Sequence, residues 1–181
     1  MSIKLIPMEN YRTAKWSGGV TTELFIWPEG SSYAERRFSF RVSSALVELE
    51  ESVFTRLEGV KRYLTPLENG FTLTVNGSAL RLERGEVLEF SGEDDVKCVG
   101  TGRDLNLMLK GCDGIMKPVS GAFRVYESEH ALVYSPGGAR IDSKGDTVIL
   151  PAGGLAELSI GEYSAEGEAW LFLVGGLTNG K

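Results

Sequence analysis

Gly145-Asp146-Thr147-Val148-Ile149-Leu150-Pro151-Ala152-Gly153 sets a short apolar run between two Gly/Pro turn signals. Gly-Asp opens a tight turn, Val148 and Leu150 alternate with Thr147 and Ile149, and Pro151 ends the ladder because it has no N–H to donate. Such a strand belongs at the rim of a small β-barrel or sandwich.

Working outward, comparable runs recur at 23–27, 37–43, 71–75, 79–82, 87–90, 105–109, 131–134, 155–160 and 169–174, with Gly, Asn, Asp or Pro between them. No long segment carries an apolar stripe at helical spacing with caps. Only residues 44–56 leave room for a short helix. The 23 glycines in 181 residues agree with many turns and short strands. Asn76-Gly77 reads as the hairpin turn between 71–75 and 79–82, not as a glycosylation acceptor. The pattern predicts an all-β chain.

Arg84-Gly85-Glu86-Val87-Leu88-Glu89-Phe90 resembles Lys144-Gly145-Asp146-Thr147-Val148-Ile149-Leu150, and each is followed by a Gly-bearing turn, a strand, a link and a final apolar strand. This weak repeat predicts two tandem β units, residues 1–110 and 111–181, packed as one globule. The boundary is expected where Gly111, Asp113-Gly114 and Pro118 cluster.

A formal net charge of −6 argues against nucleic acid or an anionic membrane surface, since no basic block exists to neutralise phosphates. No run approaches the length of a membrane span, and the first residues lack a signal-peptide core, so a soluble cytoplasmic protein is expected. Cys98 and Cys112 lack redox or ligand spacing and read as reduced, packed thiols. His130, the single histidine, cannot build a multi-His metal site and reads as a surface or loop residue. Gly175 through Lys181 fits a P-loop string but lacks the Ser/Thr and the helix that hold a phosphate.

The spacing of Gly145, Pro151 and Gly153 resembles the second cupin motif, with Ala156 and Ile160 where metal-binding members carry a His and an Asn. Further segments resemble the HutD/Ves family: Arg12 through Glu23 with Trp16-Ser17-Gly18-Gly19, Phe38 through Ala45, Phe54 through Gly59 to Arg62, Phe90-Ser91-Gly92, and Asp104-Leu105-Asn106-Leu107-Met108. The resemblance implies an RmlC-like bicupin, two β-barrel or sandwich units, without metal or cofactor. It also implies an accessory or regulatory role in histidine utilisation. Ser17, Val20, Phe40 and the stretch Ser52-Val53 depart from the family pattern near the ligand-facing segments.

Strand parity places Phe38, Phe40 and Val42 on one side and Ser39, Arg41 and Ser43 on the other, while Leu105, Leu107 and Leu109 oppose Asp104, Asn106 and Met108. Parity alone allows the polar sets to face solvent. The resemblance implies a shared pocket, because both sets coincide with motif positions. Arg41 and Arg62 are then the sharpest candidates, since a guanidinium grips a carboxylate through two parallel hydrogen bonds; the alternative is internal pairing with Asp104 or a Glu. Gly18 and Gly19 offer a turn whose N–H groups approach a ligand while Trp16 forms a wall. Thr21 and Ser43 add hydrogen-bonding groups, and Phe54 and Met108 an apolar side.

The partner expected is a small anionic metabolite, with formylglutamate or urocanate implied by the resemblance, and a homodimer is one assembly the chain allows. Two rival functions stay open. One is a metal-independent isomerase or lyase with Glu23 or Asp104 as general base and an Arg stabilising an enolate. The other is a non-catalytic interaction module.

Overall fold

The computed structural model describes residues 2–128 and 130–177, so the end of the P-loop-like string, residues 178–181, lies outside the described residues. The chain is all-β: apart from one short 3-10 turn, Met8–Asn10, every regular element described is a strand. Two compact units are present, one of them Tyr11–Gly111 and the other built from the flanking sequence on both sides.

Tyr11–Gly111 holds β2 (Arg12–Trp16), β3 (Gly19–Trp27), β4 (Phe40–Val47), β5 (Glu51–Val53) and β6 (Val60–Pro66), preceded in the chain by β1 (Ile3–Ile6). It continues with β7 (Phe71–Val75), β8 (Ser78–Leu82), β9 (Leu88–Ser91), β10 (Val96–Val99) and β11 (Gly102–Lys110). Six strands form a sheet in the order β2-β3-β4-β11-β6-β9, and four form a second in the order β5-β10-β7-β8. Val47, Leu64 and Phe90 of the first sheet share a core with Phe71, Leu73, Val96 and Cys98 of the second, which makes the unit a sandwich. Fully burying each such aliphatic or aromatic side chain is worth about 1.5–3 kcal/mol.

Antiparallel register sets what lies on the inner face. One row across the six-stranded sheet reads Phe90, Arg62, Met108, Arg41, Ile26; the next reads Leu64, Asn106, Ser43, Glu23; a third reads Pro66, Asp104, Ala45, Thr21. A bulge at Leu24 shifts β3 by one residue and keeps Glu23 and Ile26 on the same face. The two polar sets therefore share one face, and Phe40, Val42, Leu105 and Leu107 lie on the other, all fully buried.

The other unit holds β12 (Asp113–Val125), β13 (His130–Ser135), β14 (Ala139–Ser143), β15 (Asp146–Leu150), β16 (Gly154–Leu158) and β17 (Gly161–Gly175). With β1 they form one barrel-like sheet in the order β1-β16-β13-β17-β14-β15, and β12 pairs with β17. At the two ends of that order, the Ile3 N–H donates to Asp146 Oδ2 at 3.0 Å, which brings the outermost strands together through a side chain rather than a ladder. The interior is apolar, with Ile141, Val133, Ala156 and Leu171 fully buried.

Several sequence expectations need correction. Residues 3–6 belong to the second unit's sheet, because β1 pairs with β16 and its Ile3 enters that core. Residues 44–56 form no helix: β4 runs on to Val47 and β5 follows. The two units divide at Gly111, inside the expected cluster, but Pro118 lies within the long strand β12, which among the described residues ladders only to β17, so a proline is accommodated at a free edge. His130 sits half-buried within β13, its Nδ1 3.5 Å from Glu157 Oε1, instead of in a surface loop. The hairpin at Asn76-Gly77 is present, with φ of 49° and 84° at the two turn residues, as a two-residue primed turn requires.

Candidate functional site

Inside Tyr11–Gly111, the inner face changes character along the strands. Where Val47, Leu64 and Phe90 meet the second sheet it is dry core; where Arg41, Arg62 and Asp104 lie, the sheets enclose a cavity of about 280 Å³. Its wall takes Trp16 from the end of β2, Thr21 from β3, and Arg41, Ser43 and Ala45 from β4. β11 contributes Asp104, Asn106 and Met108, β6 contributes Arg62, and the chain leaving β5 contributes Phe54 and Thr55.

The two guanidiniums differ. Arg41 Nε donates to Glu23 Oε2 at 2.7 Å, Nη1 donates to Ser43 Oγ at 3.1 Å, and the group lies over the Tyr33 ring, 4.2 Å from its centroid. Both members of this ion pair are buried, so Arg41 is neutralised internally. Arg62 has no carboxylate at ion-pair distance among the described residues. It donates through Nη2 to Asn106 Oδ1 at 3.2 Å and lies over Phe54 and Phe90, at 4.9 and 5.0 Å. Its Nε is buried without a partner, as is Trp16 Nε1 on the same cavity wall.

Burial lowers the Arg62 pKa to about 10, opposed by the fields of Tyr33 and Asp104 and reinforced by that of Arg41, so the group remains charged at neutral pH. Asp104 moves the other way. Burial pushes it up to about 7, against the Ala45 N–H, the Arg62 charge and the Asn106 amide. Its Oδ1 accepts from Ala45 N at 3.1 Å and from Asn106 Nδ2 at 2.9 Å, which turns the Asn106 carbonyl towards Arg62. Burial thus holds Asp104 towards its neutral form, which leaves the Arg62 charge less opposed.

The structure thus gathers Trp16, Thr21, Arg41, Ser43, Phe54, Arg62, Asp104, Asn106 and Met108 around one cavity. Gly18 and Gly19 are not on its wall. A Cβ at Gly18 would run into the Trp16 ring, and one at Gly19 into the Leu46 carbonyl, so both glycines serve close packing of their own chain. Sequence reasoning missed Tyr33, which enters from the irregular stretch between β3 and β4; the alternative of internal pairing with a Glu holds for Arg41, the partner being Glu23. Alternation supplies no signal for a residue outside a strand; the bulge that seats Glu23 is equally silent in the sequence. Among the described residues no three His, Cys, Asp or Glu side chains come together as a metal ion requires. Both cysteines are free, and burial pushes the Cys98 thiol up to about 12.

The HutD family model matches residues 8–156, which include every residue of the cavity wall. The chain belongs to the HutD family. HutD of Pseudomonas fluorescens SBW25, solved in a formate condition, is 23% identical with a TM-score of 0.79, covering 96% of this chain and 98% of that one. A conserved protein of unknown function from Pseudomonas aeruginosa PAO1 is also 23% identical, with a TM-score of 0.78 and coverage of 97% and 98%. Protein Ylba of E. coli shares 11% identity at a TM-score of 0.69, covering 99% of this chain and 93% of its own. These likenesses show that this HutD family member has their cupin-like β fold. No protein of curated function matches the sequence significantly.

Proposed function

We propose that this HutD family member binds a small carboxylate-bearing metabolite in the cavity of Tyr11–Gly111, acting as an accessory or regulatory protein of histidine utilisation. The supporting observation is Arg62: a buried, charged guanidinium with an unpartnered Nε and, among the described residues, no carboxylate at ion-pair distance. An uncompensated buried charge costs several kcal/mol, and a bound carboxylate removes that cost while gaining charge-assisted hydrogen bonds. Trp16 Nε1 supplies a second unmatched donor, and Tyr33, Phe54 and Met108 an apolar wall for the carbon skeleton. Formylglutamate and urocanate are the guests to try first. On this reading each unit is one cupin-like barrel of a bicupin, with the ligand site in the first. Calorimetric titration of the whole chain with these acids tests it. Saturable heat that vanishes in Arg62→Met is expected; no heat with any acid, or unchanged affinity in the variant, removes the proposal.

A second reading draws on Asp104. A buried carboxyl with a pKa near neutrality, lining a cavity beside a guanidinium, matches what a general base and an enolate stabiliser need. Glu23 is less available for that role, being held by Arg41. Incubation with the same acids in deuterated water separates the two: exchange of a carbon-bound proton marks a catalyst, and its absence with retained binding marks a binder.

A further inference from the structure

A second concavity, about 450 Å³, is lined within Tyr11–Gly111 by Arg36, Arg56 and Lys110 together with Glu58, Phe38 and Val60. Elsewhere on the surface Arg37, Arg81, Arg103, Arg124 and Arg140 each sit beside a carboxylate. Among the described residues none of the three cations here has an ion pair, Glu58 included, although the chain carries a net charge of −6. Each is instead held by a main-chain carbonyl. Arg36 Nη1 donates to Tyr33 O at 3.1 Å, Arg56 Nε to Glu93 O at 2.9 Å, and Lys110 Nζ to Arg36 O at 2.9 Å. A carbonyl fixes the position of a cation and leaves its charge unspent.

The backbone here is also held in an uncommon state. Arg36 has φ of 58°, a left-handed conformation that costs a side-chain-bearing residue about 1–3 kcal/mol unless its surroundings enforce it. Its N–H donates to Tyr33 O at 3.1 Å while its carbonyl receives Lys110. One result is that Arg36 lies over the Tyr33 ring, 4.4 Å from the centroid, the same ring that Arg41 covers in the inner cavity. Beneath the cleft, Phe38 and Val60 pack in one cluster with Met108, which lines that cavity.

We propose that Arg36, Arg56 and Lys110 form a second anion site, for a phosphate or carboxylate oxyanion, coupled to the inner cavity through Tyr33 and the Met108 cluster. An oxyanion drawn in by the three cations competes with the Tyr33 ring for Arg36 and so changes the surroundings of the ring that Arg41 covers. The chemistry shared by phosphate and carboxylate is the trigonal or tetrahedral array of acceptors that a guanidinium matches.

The test uses the full chain labelled with ¹³C-methyl methionine, the Met108 signal being assigned through Met108→Leu. Inorganic phosphate and acetate are titrated separately, against sodium chloride at matched ionic strength, in wild type and in an Arg62→Met background that removes the inner guanidinium. A saturable shift of the Met108 methyl that persists in Arg62→Met and weakens by roughly tenfold or more in Arg56→Gln/Lys110→Gln is expected, in line with the loss of charge-assisted hydrogen bonds. Whichever of phosphate and acetate binds tighter names the class of effector. An equal response to chloride, or full affinity in Arg56→Gln/Lys110→Gln, overturns the site. A response abolished by Arg62→Met alone assigns the anion to the inner cavity and overturns it as well.

Discussion

The two units are built from the same kind of material, short antiparallel strands closed around an interior, yet their interiors are chemically opposite. Within Tyr11–Gly111 the buried polar side chains include Glu23, Arg41, Ser43, Arg62, Thr65, Asp104 and Asn106. In the other unit, among the described residues, Ser135 alone of the Ser, Thr, amide and charged side chains is buried, and its Oγ donates to the Glu168 carbonyl at 2.6 Å. A dry interior maximises stability, because every buried atom gains from leaving water. A charged one sacrifices part of that gain and is retained where the charge has a task. The contrast is what the ligand site proposed for the first unit rests on, since among the described residues the buried charges are all on that side of it.

The contrast breaks most sharply at the ion pair. Glu23→Ala leaves the Arg41 guanidinium buried without its carboxylate, and a loss of about 3–5 kcal/mol in unfolding free energy is expected by urea denaturation. In the dry interior, Leu171→Ala removes fully buried methyl groups and is expected to cost about 2–5 kcal/mol by the same measurement, with carboxylate binding intact if the protein is assayed while folded. Arg62→Met replaces a charge by an apolar side chain of similar length. It should leave stability unchanged or raise it by about 1–4 kcal/mol while abolishing carboxylate binding; a variant that unfolds instead would mean that Arg62 is structural.

A further expected effect concerns protons. Because the Asp104 pKa is raised on folding, the native state binds more protons than the unfolded chain between the ordinary aspartate range and about pH 7. Its contribution to stability is therefore full at low pH and is lost as pH rises through that window. Asp104→Asn keeps an acceptor for Ala45 N and removes the titration, so the wild-type decline between about pH 4 and pH 7 should flatten in the variant when the urea midpoint is followed against pH. Carboxylate affinity should rise as pH falls through 7, since protonating Asp104 removes a negative charge near Arg62.

Much of this arrangement was legible because alternation is legible. Arg41 and Ser43 on β4, and Asp104, Asn106 and Met108 on β11, follow from a period of two, and pairing of β4 with β11 brings them into common rows. What failed to show depends on contacts that no periodicity encodes. Gly18 and Gly19 signal a close approach, but the sequence does not say to what, and the answer is Trp16 and Leu46 rather than a ligand. Tyr33 stands in an irregular segment whose course is set by tertiary packing. Pro118 looks like an interruption until its strand is seen to lie at an edge, and Ile3 looks like part of the first unit until its partner, over a hundred and fifty positions later, is known.

That last pairing has a consequence for biosynthesis. Tyr11–Gly111 is a complete unit nested between a single strand and the remainder of its host, like a clause set inside parentheses. During translation the enclosed unit emerges whole and can close on itself, while Ile3–Ile6 waits for Gly154–Leu158 before it has anything to ladder with. The opening parenthesis is an orphaned edge until Gly154–Leu158 has been made, so shortening that wait, by permuting the chain to start at β12, with β1 following β17 and the chain ending at β11, ought to favour soluble yield over aggregation.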